Sequence, residues 1–331
     1  MKIFKVGIIG LGNMGTNHYR VLNNSTRVEI VGVFDIGLKN DHNFKADIVC
    51  RSIEEIINKN PDYCVIATPT HTHEEISIQL IKRGVNFLVE KPISMNYESA
   101  NIIHKNAETN SIAAVGHVER HNSAVIEAKK LIETGKLGNI FQIATRRQGP
   151  KAKQVHDIGV VKDLATHDID ATRWILNSEY DYCYSEISHD LAEDHEDKMV
   201  AIGRMTNGVL YNHIVNWTTP FKERKMIITG EKGVFEIDML ETDLIHYENG
   251  IKQVNYKELT LFKGVSLGNI INFAFEKNEP LATEHLQFQD LIENGSSNSV
   301  SLRDGVINLQ VAESFLESAR NKKIVKINYD N

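Results

Sequence analysis

Cysteine is scarce in this chain. The three present, Cys50, Cys64 and Cys183, are odd in number and far apart. They support neither a disulfide framework nor a cysteine-based zinc site and read as buried free thiols. Long apolar runs are missing too. None approaches the ~20 residues a helix needs to cross a bilayer, which argues against a membrane protein. The first strand begins almost at Met1, so no signal peptide is expected. Positive charge is in deficit: 37 Lys and Arg against 44 Asp and Glu give a net charge of −7, the wrong sign for a nucleic-acid surface. Repeats and low-complexity segments are absent. The expectation is a soluble, cytoplasmic chain, 41% hydrophobic and 24% charged, whose 331 residues suffice for two domains with cores of their own.

What is present starts at the N-terminus. Ile3 to Ile9 is mostly apolar and β-branched, a buried strand, and Met14 to Leu22 reads as a helix. Between them Gly10, Gly12 and Gly15 fit G-x-G-x-x-G. The first glycine allows the tight turn, the second lets a pyrophosphate reach the backbone, and the third lets helix and strand pack closely. The helix start around Asn13 and Met14 then offers N–H groups and positive dipole to phosphates. A second apolar run, Val28 to Phe34, ends at Asp35, where this fold places the acid that accepts from the adenosine ribose. Asp35 repels a 2′-phosphate and no arginine follows it closely, so the cofactor expected is NAD, not NADP.

Strands and helices alternate onward: a short strand at Ala46 to Val49, a helix from Ser52 to Asn58, strands at Asp62 to Ala67, Val85 to Val89 and Ile112 to Gly116, and helices at Glu75 to Lys82 and Asn96 to Asn106. That pattern over residues 1–118 is a doubly wound parallel sheet. Ligands of such sheets sit beyond the carboxyl ends of the strands. Two segments fall there, Thr68-Pro69-Thr70-His71-Thr72-His73 and Glu90-Lys91-Pro92. Thr68, Pro69, His73, Glu90 and Lys91 therefore join Gly10, Gly12, Asn13, Met14, Gly15 and Asp35 as the expected cofactor set.

The texture changes over residues 119–331. Helices are expected at Asn122 to Glu133, Val160 to Leu176, Thr283 to Glu293 and Val306 to Arg320. Strands at Ile140 to Arg147, Met199 to Met205, Val209 to Trp217, Lys225 to Thr229, Val234 to Asp238 and Leu244 to Tyr247 are separated by turn signals such as Asn207-Gly208 and Asn249-Gly250, with a last strand at Ile324 to Ile327. Strands without intervening helices mean an antiparallel sheet.

Several polar residues invite chemistry. Lys91, held before Pro92, is either aimed at a ligand or a solvated surface lysine. Asp163 and His167 are i, i+4 neighbours that share a helix face: either a base with its orienting acid, or a structural pair. Asp170 continues that face or is simply solvated. His71 and His73 form an H-x-H beside Glu74 and Glu75, but a metal site needs three or four ligands, and none is expected here. His73 lies near the ribose or caps its turn. Arg120, Arg146 and Arg147 suit phosphate through their planar forks, or are surface charge.

Taken together these motifs resemble the Gfo/Idh/MocA family of nicotinamide-dependent sugar oxidoreductases, from Lys5 to about Ile327. The carriers are Gly10 to Gly15, Ala67 to His73, Glu90-Lys91-Pro92 and Asp163-Leu164-Ala165-Thr166-His167-Asp168-Ile169-Asp170. The resemblance implies a Rossmann domain followed by an α+β domain with a large, mostly antiparallel sheet, with helix 306–320 packing back on the first domain. It implies Lys91, Asp163 and His167 as catalytic residues that also meet the substrate. It further implies a homo-oligomer, dimer or tetramer, joined through the second domain's open sheet face. Val115 to Arg120, Ala144 to Pro150, Gly159 to Leu164 and Asn216 to Pro220 look like a branch of UDP-N-acetylglucosamine 3-dehydrogenases; His121, Ser123 and the single Gly159 depart from it and leave the sugar open. The implied activity is NAD-dependent oxidation of a nucleotide-sugar 3-hydroxyl, with Arg120, Arg146 and Arg147 near the substrate. A free polyol such as an inositol is the alternative substrate. A non-catalytic NAD(P)-binding regulator is the alternative class, and it would have little use for Lys91, Asp163 and His167 together.

Overall fold

A computed structural model describes residues 2–37, 47–151, 157–191, 194–250 and 266–329. The chain forms two compact units. One comprises residues 1–121, 151–170 and 279–313, the other 122–150, 171–278 and 314–331. Residues 151–170, placed by the sequence in the second domain with Asp163 and His167, therefore group with the N-terminal sheet.

In chain order the elements are β1 (Phe4–Ile9), α1 (Asn13–Asn23), β2 (Val28–Phe34), α2 (Ile53–Asn58), β3 (Tyr63–Ile66), α3 (His73–Lys82), β4 (Asn86–Glu90), α4 (Tyr97–Ala107) and β5 (Ala113–Gly116). They continue as α5 (Ser123–Glu133), β6 (Ile140–Gln148), α6 (Thr166–Leu176), β7 (Tyr180–Ser188), β8 (Lys198–Met205), β9 (Leu210–Asn216), β10 (Glu223–Gly230), β11 (Gly233–Asp238), β12 (Asp243–Gly250), β13 (Ser266–Asn272), α7 (Pro280–Asn294), α8 (Leu302–Asn321) and β14 (Val325–Lys326).

The first unit is built on a parallel sheet of order β2-β1-β3-β4-β5. Its strands are near-continuous apolar runs because helices cover both faces; all four residues of β3 are buried. Polar caps set where the helices begin. The Ser52 side chain accepts from the Glu55 N–H and the Asn96 side chain from the Ser99 N–H, each such cap stabilising by about 1 kcal/mol. On one side Ile66, Val89, Ile93 and Val115 share a core with Val300, Leu302, Val306 and Leu309, so the first half of α8 packs with this sheet. On the other, Phe4, Tyr63 and Val65 pack with Phe288 of α7.

Among the described residues the second unit forms a sheet of nine strands in the order β13-β12-β11-β10-β6-β9-β8-β7-β14. Only β6 and β9 run parallel; the other described pairs are antiparallel. Burial alternates along β8, β10 and β11, the signature of a sheet covered on one face.

Some boundaries differ from expectation, each for a local reason. Asn249-Gly250 is no turn but the end of β12, paired with β13. The Val160 to Leu176 helix opens with a π-type turn over Val161–Ala165 before α6; such bulges are rare and often mark functional sites. β7 escapes notice because Asp181 and Glu186 interrupt its apolar pattern. Helix α7 starts three residues before Thr283, with Pro280 in its first turn. Of the short strand at 46–49, residue 46 lies outside the described residues, and Val49 makes one bridge to Val33.

Candidate active site

The carboxyl ends of the parallel strands gather the polar residues of the first unit. After β1, Gly10 has φ +91°, and a Cβ on it would lie 2.5 Å from the Ala67 carbonyl oxygen. A Cβ on Gly15 would lie 1.9 Å from the Gly10 carbonyl oxygen. Only glycine fits either place. At Gly12 the opposite holds: a Cβ would meet nothing within 4 Å. Gly12 is the N-cap of α1, which has no side-chain cap and no acid in its first turn. The amides of Asn13, Met14 and Gly15, with the positive end of the helix dipole, are thus disposed for an anion. At the end of β2, Asp35 accepts from the Leu11 and Gly37 N–H groups, each at 2.7 Å. Its charge stands beside the glycine turn, as a ribose acceptor requires. These residues fit a dinucleotide.

After β3, Thr68 and Pro69 lead into a turn that His73 fastens. His73 is buried, and its Nδ1 and Nε2 lie 3.0 Å from the Pro92 carbonyl oxygen and 2.9 Å from that of Thr68. A neutral ring has one N–H and donates to one of these two carbonyls, so His73 packs between the ends of β3 and β4 as a turn cap does. Burial pushes its pKa down. His71 is exposed, 3.8 Å from Asp157. Among the described residues no group of three His, Cys, Asp or Glu is placed to hold a metal.

After β4, the cis peptide Lys91–Pro92 turns the chain. The Lys91 ammonium donates to the Asp163 carboxylate at 2.9 Å and to the Asp163 carbonyl oxygen at 2.6 Å. Both side chains are mostly buried, 13% and 14% exposed, which rules out the solvated-lysine reading. The π-type turn carries Asp163 to this contact, and His167 follows in the first turn of α6. The ring of His167 meets that of His117, which follows β5, edge to face at 6.5 Å between centroids.

Residues 4–117 match the family described as "Oxidoreductase family, NAD-binding Rossmann fold", and residues 129–327 its "C-terminal alpha/beta domain". The chain belongs to the Gfo/Idh/MocA oxidoreductase family. It is accordingly an NAD-dependent oxidoreductase of the group that acts on sugar and polyol CH–OH centres. Among its relatives are the scyllo-inositol 2-dehydrogenase (NAD(+)) of Bacillus subtilis, 26% identical over 98% of this chain and 96% of that one, and the UDP-N-acetylglucosamine 3-dehydrogenase of Acidithiobacillus ferrooxidans, 25% identical over 74% and 77%. A solved structure of the latter superimposes with a TM-score of 0.82 at 21% identity, covering 97% of this chain and 99% of that one, which shows the fold.

Within this Gfo/Idh/MocA chain the three arginines do not form a phosphate clamp. Arg120 is buried, donating to Asp170 at 2.9 and 2.5 Å and to Asp304 at 3.2 Å. Asp170, far from solvated, is fully buried in that pair. Neighbours on a strand face opposite ways, so Arg146 points outward to Glu223 at 3.1 Å while Arg147 is buried and donates to the Met239 sulfur. The two do not converge on one diphosphate.

The same Gfo/Idh/MocA site contains buried groups that no motif signals: His18, His117, Glu284, His285 and Asn308. They come from four separate segments, and only the fold brings them together. Asn308 donates to Asp170 at 2.8 Å and lies 3.3 Å from His117 Nε2. Burial pushes His117 down to about 4, which keeps it a neutral neighbour of His167. Glu284 is 2% exposed, and burial, with Glu90 and Asp170 nearby, raises its pKa well above the usual carboxylate value of 4.5. The folded chain therefore keeps the Glu284 proton while the unfolded chain releases it. Stability is full below the ordinary carboxylate range and falls as pH rises through it, by up to about 1.4 kcal/mol per pH unit, until Glu284 ionises in the folded state. Glu284→Gln is expected to match wild type at about pH 4 and exceed it increasingly toward pH 8 in urea unfolding. Parallel curves for the two proteins would show that Glu284 is ionised in both states.

Proposed function

We propose that the chain uses NAD to oxidise a secondary hydroxyl on a sugar ring, and that its substrate is UDP-N-acetylglucosamine, taken at the 3-hydroxyl. The observation that carries the reaction is the Lys91–Asp163 pair at the end of β4, with His167 four residues further on. Oxidising an alcohol removes a proton from oxygen and a hydride from carbon. His167 takes the proton. Lys91, held by Asp163, donates to the same oxygen and stabilises negative charge as it develops. Gly10, Gly12, Gly15 and Asp35 hold the dinucleotide, with Thr68, Pro69 and Glu90 at the neighbouring strand ends. NAD, when bound, supplies the hydride acceptor; the protein's contribution is largely position.

The nucleotide sugar is supported by the quoted motifs and by the relative of that activity. A free polyol is favoured by a different observation: Arg120 and Arg147 are buried in internal contacts, which removes the expected phosphate forks. The domain reading is retained for function, with residues 1–118 for the cofactor and residues 119–331 for the substrate. The open face of that sheet exposes Phe141, Val200, Ile202 and Leu210, and we place a homo-oligomer contact there.

Initial rates of NADH formation over a panel of UDP-sugars, free sugars and inositols separate the readings. UDP-N-acetylglucosamine is expected to exceed its free sugar in kcat/KM by at least about tenfold, roughly 1.4 kcal/mol of transition-state binding. A higher value for an inositol would replace the nucleotide sugar by the polyol.

A further inference from the structure

His18 lies on α1, two turns beyond Gly12, and is fully buried. Its Nε2 is 2.8 Å from Glu90 Oε1, and its Nδ1 is 2.8 Å from His285 Nε2. His285, on α7, reaches the Tyr63 hydroxyl through Nδ1 at 3.2 Å, and Gln289 donates to that hydroxyl oxygen at 3.2 Å. One set of proton positions satisfies these contacts. With Gln289 donating to the Tyr63 oxygen, the Tyr63 hydroxyl is free to donate to His285 Nδ1. His285, which burial keeps neutral, then carries its hydrogen on Nε2 and donates it to His18 Nδ1. His18 in turn donates from Nε2 to Glu90. Each donor in the array points toward one carboxylate.

That carboxylate adjoins Lys91. Glu90 is 6% exposed, and its second oxygen accepts the Lys91 backbone N–H at 3.2 Å. Burial opposes its charged form; the bond from His18 and the charge of Lys91 more than offset burial, and its pKa falls below the usual value. A buried carboxylate stays charged only when it is both hydrogen-bonded and paired. Through His18 the helix that follows the dinucleotide turn is bonded to the strand end that carries the lysine.

We propose that His18 is a positioning residue of the reaction: its Nε2–H holds the Glu90 carboxylate charged beside Lys91 and ties the dinucleotide helix to the lysine's strand end. The inference rests on the dehydrogenase reading above, and its test has an arm that needs no substrate.

Three replacements separate the two ring nitrogens. His18→Gln keeps an amide donor near Nε2, His18→Asn keeps a polar group only near Nδ1, and His18→Leu keeps neither. In the substrate-free arm the folded proteins are pulsed with acetic anhydride, and Lys91 acetylation is measured by mass spectrometry relative to exposed Lys322. Losing the charge on Glu90 takes a negative neighbour from the Lys91 ammonium, so His18→Leu and His18→Asn are expected to raise that ratio by about 3–10-fold. His18→Gln should stay within about twofold of wild type. In the kinetic arm His18→Leu is expected to lower kcat by roughly 10–100-fold with KM little changed, and His18→Gln to restore most of it. An unchanged Lys91 ratio in His18→Leu, or His18→Gln behaving like His18→Leu, overturns the proposal in favour of simple packing. Should His18→Leu fail to fold, His18→Asn decides by the same ratio. If wild type turns over no sugar or polyol, the dehydrogenase reading falls, while the acetylation ratio still decides whether His18 holds Glu90.

Discussion

His167→Asn is expected to lower kcat by roughly 10²–10⁴, the usual worth of a positioned acid–base group, while leaving NAD affinity nearly intact. The dinucleotide turn is made by Gly10 to Gly15 and Asp35, whereas His167 lies on α6 after the π-type turn. Lys91→Met is expected to lower kcat as well. Its effect on NAD binding should be larger than that of His167→Asn, because its ammonium is bonded to Asp163 and its charge stands beside Glu90 at the end of β4. Removing the ammonium leaves Asp163 without that partner and Glu90 without a neighbouring positive charge. The two losses should not add. Both groups serve one oxygen, so the double variant is expected to cost less than the sum of the single ones. The profile of kcat/KM against pH should show an acid limb from the base in wild type, absent in His167→Asn. Turnover at the wild-type rate in His167→Asn, with the acid limb unchanged, would place the base elsewhere and leave His167 a structural neighbour of His117.

How much of this was legible beforehand depends on whether a feature is local in sequence. The glycine turn, Asp35 and the Glu90-Lys91-Pro92 turn are each short and sit at strand ends, and their spacing carries their geometry. The caps at Ser52, Asn96 and Asn122 are equally local. Pairing across the chain is another matter. The i, i+4 spacing of Asp163 and His167 places both on one helix face but does not reveal that the Asp163 carboxylate receives Lys91 from 72 residues away. The array from Gln289 to Glu90 joins α7, β3, α1 and β4, with 267 residues between His18 and His285; no periodicity encodes such a contact. The arginines misled for the opposite reason. Their side chains suit phosphate, and composition does not reveal that carboxylates elsewhere in the fold, Asp170 and Asp304, already occupy Arg120. Nor does sequence show that the returning segments 151–170 and 279–313 complete the first unit. Asp163, Asp170, Glu284, His285, Asp304 and Asn308 all arrive on those segments.

The Arg120–Asp170 pair supports the largest stability effect expected here. Arg120→Met keeps much of the aliphatic length and removes the charge. Asp170 is then left fully buried, with Asn308 as a neutral donor at 2.8 Å. Breaking a buried pair from one side costs about 3–5 kcal/mol, because the surviving charge has lost its compensation. The cost should shrink when that charge is removed too: Arg120→Met combined with Asp170→Asn is expected to recover a good part of it, since two neutral groups need less solvation than one stranded carboxylate. The pH dependence follows from Asp170. Burial pushes its carboxyl up, but the Arg120 charge and the hydrogen bonds from Arg120 and Asn308 outweigh burial and bring it down to about 2. A carboxyl depressed in the folded state contributes stability above its ordinary value and loses that contribution as pH falls toward 2. Wild type should therefore weaken across that acid range by more than the double variant does, read from urea midpoints at a series of pH values. If Arg120→Met unfolds at the wild-type midpoint, the guanidinium is not what keeps Asp170 charged. If the double variant is no better than the single one, the loss lies in the packing of Arg120 and not in the stranded charge.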